Sequence, residues 1–129
     1  MAEDKKTGRK FIRVDTRLEA FYKYVRLNKE ETGKGSIVDL SGGGLRMVVD
    51  ERIKEKTPIM IATNFTDGPI EIKGVIVSND LVWYVEDYGK KPRWTAGVCF
   101  EKLTAQERSR IINFVHRLSA DIREAKLKK

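Results

Sequence analysis

The chain has 129 residues, of which 40% are apolar and 35% charged, with a formal net charge of +7. That length and balance support one folded domain around a single core and exclude a disordered chain. No apolar run approaches the ~20 residues of a membrane-spanning helix. The charged start Met1–Lys6 has no apolar stretch behind it, so no secretory signal and no membrane insertion are expected.

Cys99 and His116 are the only residues of their types, which excludes an internal disulfide framework and a zinc site of the ordinary Cys/His kind. A single thiol fits a reducing, cytoplasmic location. The positive excess is terminal: residues 1–13 hold five Lys/Arg against two acids, and residues 117–129 hold the same tally. A basic end can meet nucleic acid, anionic lipid or a phosphorylated ligand, and is otherwise a solvated tail. The expected division is a flexible basic tail over 1–8, one domain over 9–123 and a basic tail over 124–129.

Residues 17–27 carry Phe21, Tyr22, Tyr24, Val25 and Leu27, a β-forming set with apolar side chains on both faces. A strand of that kind is expected to be covered inside and outside. Thr32–Gly35 reads as a turn, Ile37–Leu40 as a strand, and Gly42–Gly44 as a sharp break. Leu45–Val49 is a further strand, and Pro58 opens another through Ile61. Thr66–Pro69 is a turn, Ile70–Val77 a strand, and Ser78–Asp80 another turn. Leu81–Val85 and Thr95–Phe100 complete six or seven strands, joined by a polar loop around Tyr88–Pro92.

After Leu103 the period changes. Thr104 and Glu107 form a capping box, and Ile111, Val115, Leu118 and Ile122 then share one face of a helix of about five turns. Glu107, Arg108, Arg110 and Arg117 fall off that face. Short strands followed by one amphipathic helix indicate an all-β fold with a C-terminal helix, a small antiparallel β-barrel.

Two motifs carry chemistry. Arg9 and Arg13 form R-x-x-x-R, whose guanidinium forks match phosphate oxygens and the O6/N7 edge of guanine. Asp39, Ser41 and Gly44 form D-x-S-x-x-G. Two residues apart on a strand, Asp39 and Ser41 leave the same face and offer acceptors to the paired N–H donors of a guanine. Gly43 and Gly44 allow a positive φ and a close ligand approach. Taken singly, the first motif is a basic tail and the second a tight turn; the pair, placed around one predicted strand, is more specific.

With these residues the chain resembles the PilZ domain family, bacterial receptors for the second messenger cyclic di-GMP. Gly97–Phe100 is similar to the family's G-V-x-F strand, and the likeness runs over roughly residues 9–120. The resemblance implies a six-stranded barrel and no catalysis. It also implies that Arg9, Lys10, Arg13, Asp39, Ser41, Gly43 and Gly44 bind cyclic di-GMP, with the N-terminal segment closing on the barrel to alter binding of a downstream protein. Position 10 holds lysine where many members carry a second arginine, which leaves open whether one ligand or an intercalated pair binds. No cofactor beyond that ligand is implied, and the expected oligomeric state is a monomer or a weak homodimer.

Two alternatives stand beside this reading. One is a ligand-independent interaction module of the same fold. The other is a basic barrel for single-stranded nucleic acid, motivated by the charge and by Tyr22, Tyr24, Trp83 and Trp94; the spacing of these residues shows no groove, which ranks it last of the binding readings. Trp83 and Trp94 are core or barrel-mouth residues that could stack on a base only from the mouth. His116 reads as a surface histidine, Cys99 as a small buried or half-buried thiol, and Glu86–Asp87 as a loop edge.

Overall fold

Alternation of apolar side chains with period two builds the inner wall of a barrel. Ala20, Tyr22 and Tyr24 point inward from one strand, Leu45, Met47 and Val49 from another, and Ile59, Ile61 and Phe65 from a third; all are buried. The computed structural model describes residues 14–83 and 92–127, with side chains over 14–82 and 92–121. Its elements are β1 (Val14–Arg26), β2 (Lys29–Leu40), β3 (Gly44–Val49), β4 (Pro58–Phe65), β5 (Gly68–Trp83), β6 (Pro92–Phe100) and α1 (Ala105–Leu127).

The strands are antiparallel and close in the order β1-β2-β3-β6-β5-β4. Ala20–Lys23 of β1 pair with Met60–Thr63 of β4 and join the ends of the sheet. The predicted barrel with a terminal helix is therefore the fold observed. The predicted tail 1–8 and, except for Pro92, the polar loop around Tyr88 lie outside the described residues; of the predicted tail 124–129, residues 124–127 continue α1, so the helix runs past the expected end of the domain at 123.

Two predicted turns are strand interior. Thr32–Gly35 lies within β2, and the hairpin turns at Leu27–Asn28, where Arg26 pairs with Lys29. Both turn residues have positive φ, 52° and 63°, as a two-residue hairpin of the right twist requires. Gly33 has a packing role: a Cβ there would lie 2.3 Å from the Tyr22 ring, its cross-strand partner. Ser78–Asp80 likewise lies inside β5, where a register shift between Ile76 and Ser78 marks a bulge.

The outer face of β1 departs from expectation as well. Phe21 and Val25 are exposed, as is Leu27 in the turn that follows, so no described residue covers the outer face of β1 at these positions. Beyond Gly35 the first hairpin overhangs the barrel: β2 pairs with β3 only over Ser36–Leu40, and among the described residues Lys29–Gly35 pair only with β1.

The helix closes one end of the barrel. Ile111, Phe114 and Val115 are buried in the core cluster, with Leu118 packed against it, and Phe114 stacks on Phe65 with centroids 4.2 Å apart. The Ile122 side chain lies outside the described set. The capping box forms as expected: the Thr104 N–H donates to Glu107 Oε1 at 2.9 Å, and the Glu107 N–H to Thr104 Oγ1 at 3.1 Å. Arg110, off the apolar face, forks onto Asp67 in the β4–β5 turn at 2.9 and 3.0 Å. That hydrogen bonding holds the Asp67 carboxyl below its ordinary range.

At the opposite end, the Tyr22 and Tyr24 hydroxyls both donate to Glu51, which follows β3. Burial first, then these bonds, push both phenols above their ordinary value, Tyr24 to about 12. Between pH 10 and 12 the unfolded chain loses phenolic protons that the folded chain keeps, so stability is full below pH 10 and falls as pH rises through that window. Urea unfolding of the wild type at stepped pH should show this decline, and Tyr24→Phe should show a shallower one.

Candidate functional site

Asp39 stands at the end of β2, where the chain is locally irregular. Ile37 pairs with Met47 but Asp39 pairs with Arg46, so Val38 is an extra residue in β2. A bulge of this kind re-aims the side chains beside it. It lets Ile37 and Leu40, three apart, both face the core while Asp39 sits on the outer wall across from Arg46. The carboxylate is not the open receptor expected: its side chain is only 3% exposed, and Arg46 Nε and Nη2 approach Oδ2 at 2.6 and 2.5 Å.

Ser41 is not on the strand. It opens the connection from β2 to β3, so the expectation that it shares a strand face with Asp39 fails. Its hydroxyl is used inside the loop: Oγ accepts from the Gly43 and Gly44 N–H groups at 3.3 and 3.2 Å and donates to the Gly44 carbonyl at 3.2 Å. The Ser41 N–H donates to the same carbonyl at 2.9 Å. This is a side-chain-stapled turn.

The glycines also differ from expectation. Among the described residues Gly68 is the glycine with positive φ, and Gly42–Gly44 stay at negative or extended values. Gly44 is required by proximity: a Cβ there would meet the Val98 carbonyl oxygen at 2.3 Å. The Gly43 carbonyl accepts the Phe100 N–H at 3.0 Å, which fastens the loop to the end of β6.

The other predicted residues divide. Arg9, Lys10 and Arg13 lie outside the described residues, as do Glu86–Asp87 and the Trp83 side chain. Trp94 is partly buried and packs against the core. Tyr22 and Tyr24 are 2% and 6% exposed, which removes both from any base-stacking surface. Cys99 is exposed, not half-buried, because β6 turns this position outward next to buried Val98. His116 is exposed on α1, as expected. Among the described residues no cluster of His, Cys, Asp and Glu could hold a metal ion, and no helix is long and apolar enough to cross a membrane.

Arg46 is the member of this constellation that motif reading passes over. The signal was present: in a hairpin folded about Gly42–Gly43, opposite charges at 39 and 46 fall across from each other. A groove of about 460 Å³ lined by Lys23, Tyr24, Pro58, Met60 and Lys73 lies on the β1–β4–β5 wall, away from Asp39.

The PilZ domain family model matches residues 8–117, from ahead of R-x-x-x-R into the helix. The chain belongs to the PilZ domain family. Among curated proteins, no sequence matches. Among solved structures, the PilZ domain of YcgR with cyclic di-GMP from Escherichia coli superposes with a TM-score of 0.72 at 15% identity, covering 94% of this chain and 98% of that one. The K. pneumonia MrkH–cyclic di-GMP complex gives a TM-score of 0.66 at 20% identity, over 94% of this chain and 55% of the other. The PilZ domain of CeSA from a cellulose-synthesizing bacterium gives 0.59 at 15% identity, over 84% and 98%. This PilZ domain thus spans about half the length of MrkH and nearly all of the isolated PilZ domains.

Because Gly44 leaves no room for a side chain against the β6 backbone, Gly44→Ala should lower unfolding free energy by about 2 kcal/mol. Ser41→Ala should cost about 1 kcal/mol through the lost turn bonds. Urea denaturation midpoints of the two variants check the order.

Proposed function

We propose that this PilZ domain is a non-catalytic receptor for cyclic di-GMP. Arg9 and Arg13, with Lys10 beside them, grip the phosphates and guanine edges. Asp39 accepts the guanine N–H pair, and the Ser41–Gly44 loop carries the ligand's edge. The observation that carries this reading is a carboxylate held on the outer barrel wall beside a stapled glycine loop, in a chain whose R-x-x-x-R directly precedes β1. Family membership and structural neighbours whose descriptions include cyclic di-GMP support the same ligand.

In this reading the arginine segment is the moving half. Two guanidinium forks on a segment ahead of β1 close over a ligand seated at Asp39, and the surface presented to a downstream protein changes with occupancy. The domain works in the cytoplasm, where the ligand is made available.

Calorimetric titration with cyclic di-GMP should show saturable binding, with the stoichiometry separating one ligand from an intercalated pair. Arg13→Ala and Asp39→Ala should each weaken binding about 10- to 100-fold, the range for losing hydrogen bonds to charged groups. Ligand should also slow tryptic cleavage within residues 5–13. A wild-type protein giving neither heat nor thermal stabilisation would refute the reading.

A second reading has one observation in its favour. Phe21, Val25 and Val77 are more than half exposed on the outer wall, a feature of surfaces that meet other proteins. A ligand-independent interaction module would retain its partner equally with and without nucleotide.

A further inference from the structure

At the far end of the first hairpin, β1 outruns one of its two neighbours. It pairs with β2 as far as Arg26 but with β4 only as far as Lys23, opposite Met60. Continued on the same register, Val25 would meet Pro58, which opens β4 and has no N–H to donate. The ladder stops there, and among the described residues no strand stands beside the end of β1 on that side. In a two-residue hairpin the flanking pair, here Arg26 and Lys29, is hydrogen-bonded, so by alternation Val25 turns its N–H and C=O away from β2, toward the open side.

The space left over is a groove of about 620 Å³ between the end of β1 and the connection from β3 to β4. Tyr24, Val25 and Arg26 all line it. Successive side chains of a strand leave opposite faces, so the groove runs along the strand's edge and not over one face. Its far rim, which includes Ile53 and Thr57, is tied to β5. The Asn79 side-chain amide donates to the Ile53 carbonyl, the Lys56 N–H to the Ile76 carbonyl at 2.7 Å, and the Ile76 N–H to the Thr57 carbonyl at 3.0 Å. One extended edge and one fastened rim are thus in place before any partner arrives, which lowers the ordering cost of binding.

The groove carries charge of one sign. Arg26, Arg52 and Lys54 line it, all exposed, and no acidic residue does. None of the three is in an ion pair among the described residues. Asp50 and Glu55 belong to the same connection but do not line the groove, and Glu51 accepts from the hydroxyls of Tyr22 and Tyr24. Val25 and Leu27, 65% and 86% exposed, add apolar surface. Cations without a counter-charge favour an anionic occupant, and the apolar surface between them favours one that carries apolar side chains as well. Stacking on bases is not on offer, since Tyr24 is the one aromatic residue of the lining and is 6% exposed.

We propose that this groove docks an extended acidic segment of a partner protein. The segment adds a strand beside Val25, exchanging backbone hydrogen bonds with it, and sets its carboxylates against Arg26, Arg52 and Lys54 while its apolar side chains cover Val25 and Leu27. A lipid surface or a nucleic acid would answer the charge but not the backbone edge. The groove stands at the opposite end of β1 from Asp15, the cross-strand partner of Asp39, so docking there does not depend on cyclic di-GMP.

The test is a titration of the full, isotope-labelled chain, without nucleotide, against capped octapeptides that alternate Glu with Val, Ile, Leu, Phe or Tyr. Amide NMR spectra and fluorescence anisotropy give site and affinity. At least one acidic peptide should bind saturably, move the amide signals of Val25, Leu27, Arg52 and Lys54, and slow exchange of the Val25 amide. Peptides with Lys in place of Glu should not bind. Arg52→Glu combined with Lys54→Glu should weaken binding at least about tenfold, since like charges then face each other. Methylating alternate backbone nitrogens of the peptide should weaken binding at least about fivefold in one of the two registers, through lost hydrogen bonds. That arm uses the wild-type chain and decides the matter even if the double variant fails to fold. Failure of every acidic peptide to bind, or equal binding of the Lys peptides or of both methylated registers, would overturn the proposal. So would phosphatidylglycerol vesicles or an oligothymidylate moving these amides where the peptides do not.

Discussion

Closure of the sheet rests on a short seam. Four residues of β1, Ala20–Lys23, meet four of β4, Met60–Thr63, and convert an open sheet into a ring with one interior. The seam is reinforced from a side chain: Thr63 Oγ1, buried, donates to the Glu19 carbonyl at 2.8 Å. Without it, the inward rows from Ala20 to Tyr24 and from Ile59 to Phe65 would have no opposite wall, and the barrel would expose its core. The helix depends on the same closure, since Phe114 needs Phe65 at the rim as its partner.

Within that ring the β2–β3 connection is the most constrained segment near the proposed site. Three separate devices meet there: a bulge at Val38 that turns Asp39 outward, a serine hydroxyl that staples the turn, and a glycine pressed against the β6 carbonyl. Each has a local structural explanation. Together they hold one carboxylate at a fixed place on the barrel wall, nearly buried, beside a glycine-rich turn. The Gly43 carbonyl then links this loop to Phe100, a few residues before the cap of α1. Loop and helix sit at the same rim of the barrel.

Much of this was legible in the residues. Strand periodicity, the capping box of Thr104 and Glu107, and the paired motifs led to the fold and family directly. The errors share a physical origin. Gly33 looks like a turn residue because glycine permits turns, yet here it vacates space for the Tyr22 ring, a tertiary demand invisible along the chain. The real turn, Leu27–Asn28, lacks the glycine that usually accompanies two positive φ values. Ser78–Asp80 reads as a break because bulges and turns use the same residue types. At the site, Asp39 stands in the motif itself, whereas Arg46 pairs with it from the facing strand and is found only by folding the hairpin about Gly42–Gly43.

The overhanging first hairpin has a colloidal consequence. A closed barrel hides its edges, but from Lys29 to Gly35 the outer backbone edge of β2 has no strand beside it among the described residues, and Leu27 at its tip is 86% exposed. An unpaired edge next to apolar side chains invites another chain to add a strand. Along this edge stand Lys29, Glu30, Glu31 and Lys34, with Lys34 also ion-paired to Glu19 at 3.2 Å. Strand addition there would have to strip water from these charges and bring like charges together, so the sequence guards its own ribbon against polymerisation. That guard weakens as salt screens the exposed charges, which makes ionic strength the natural variable governing how concentrated this protein can become before it self-associates.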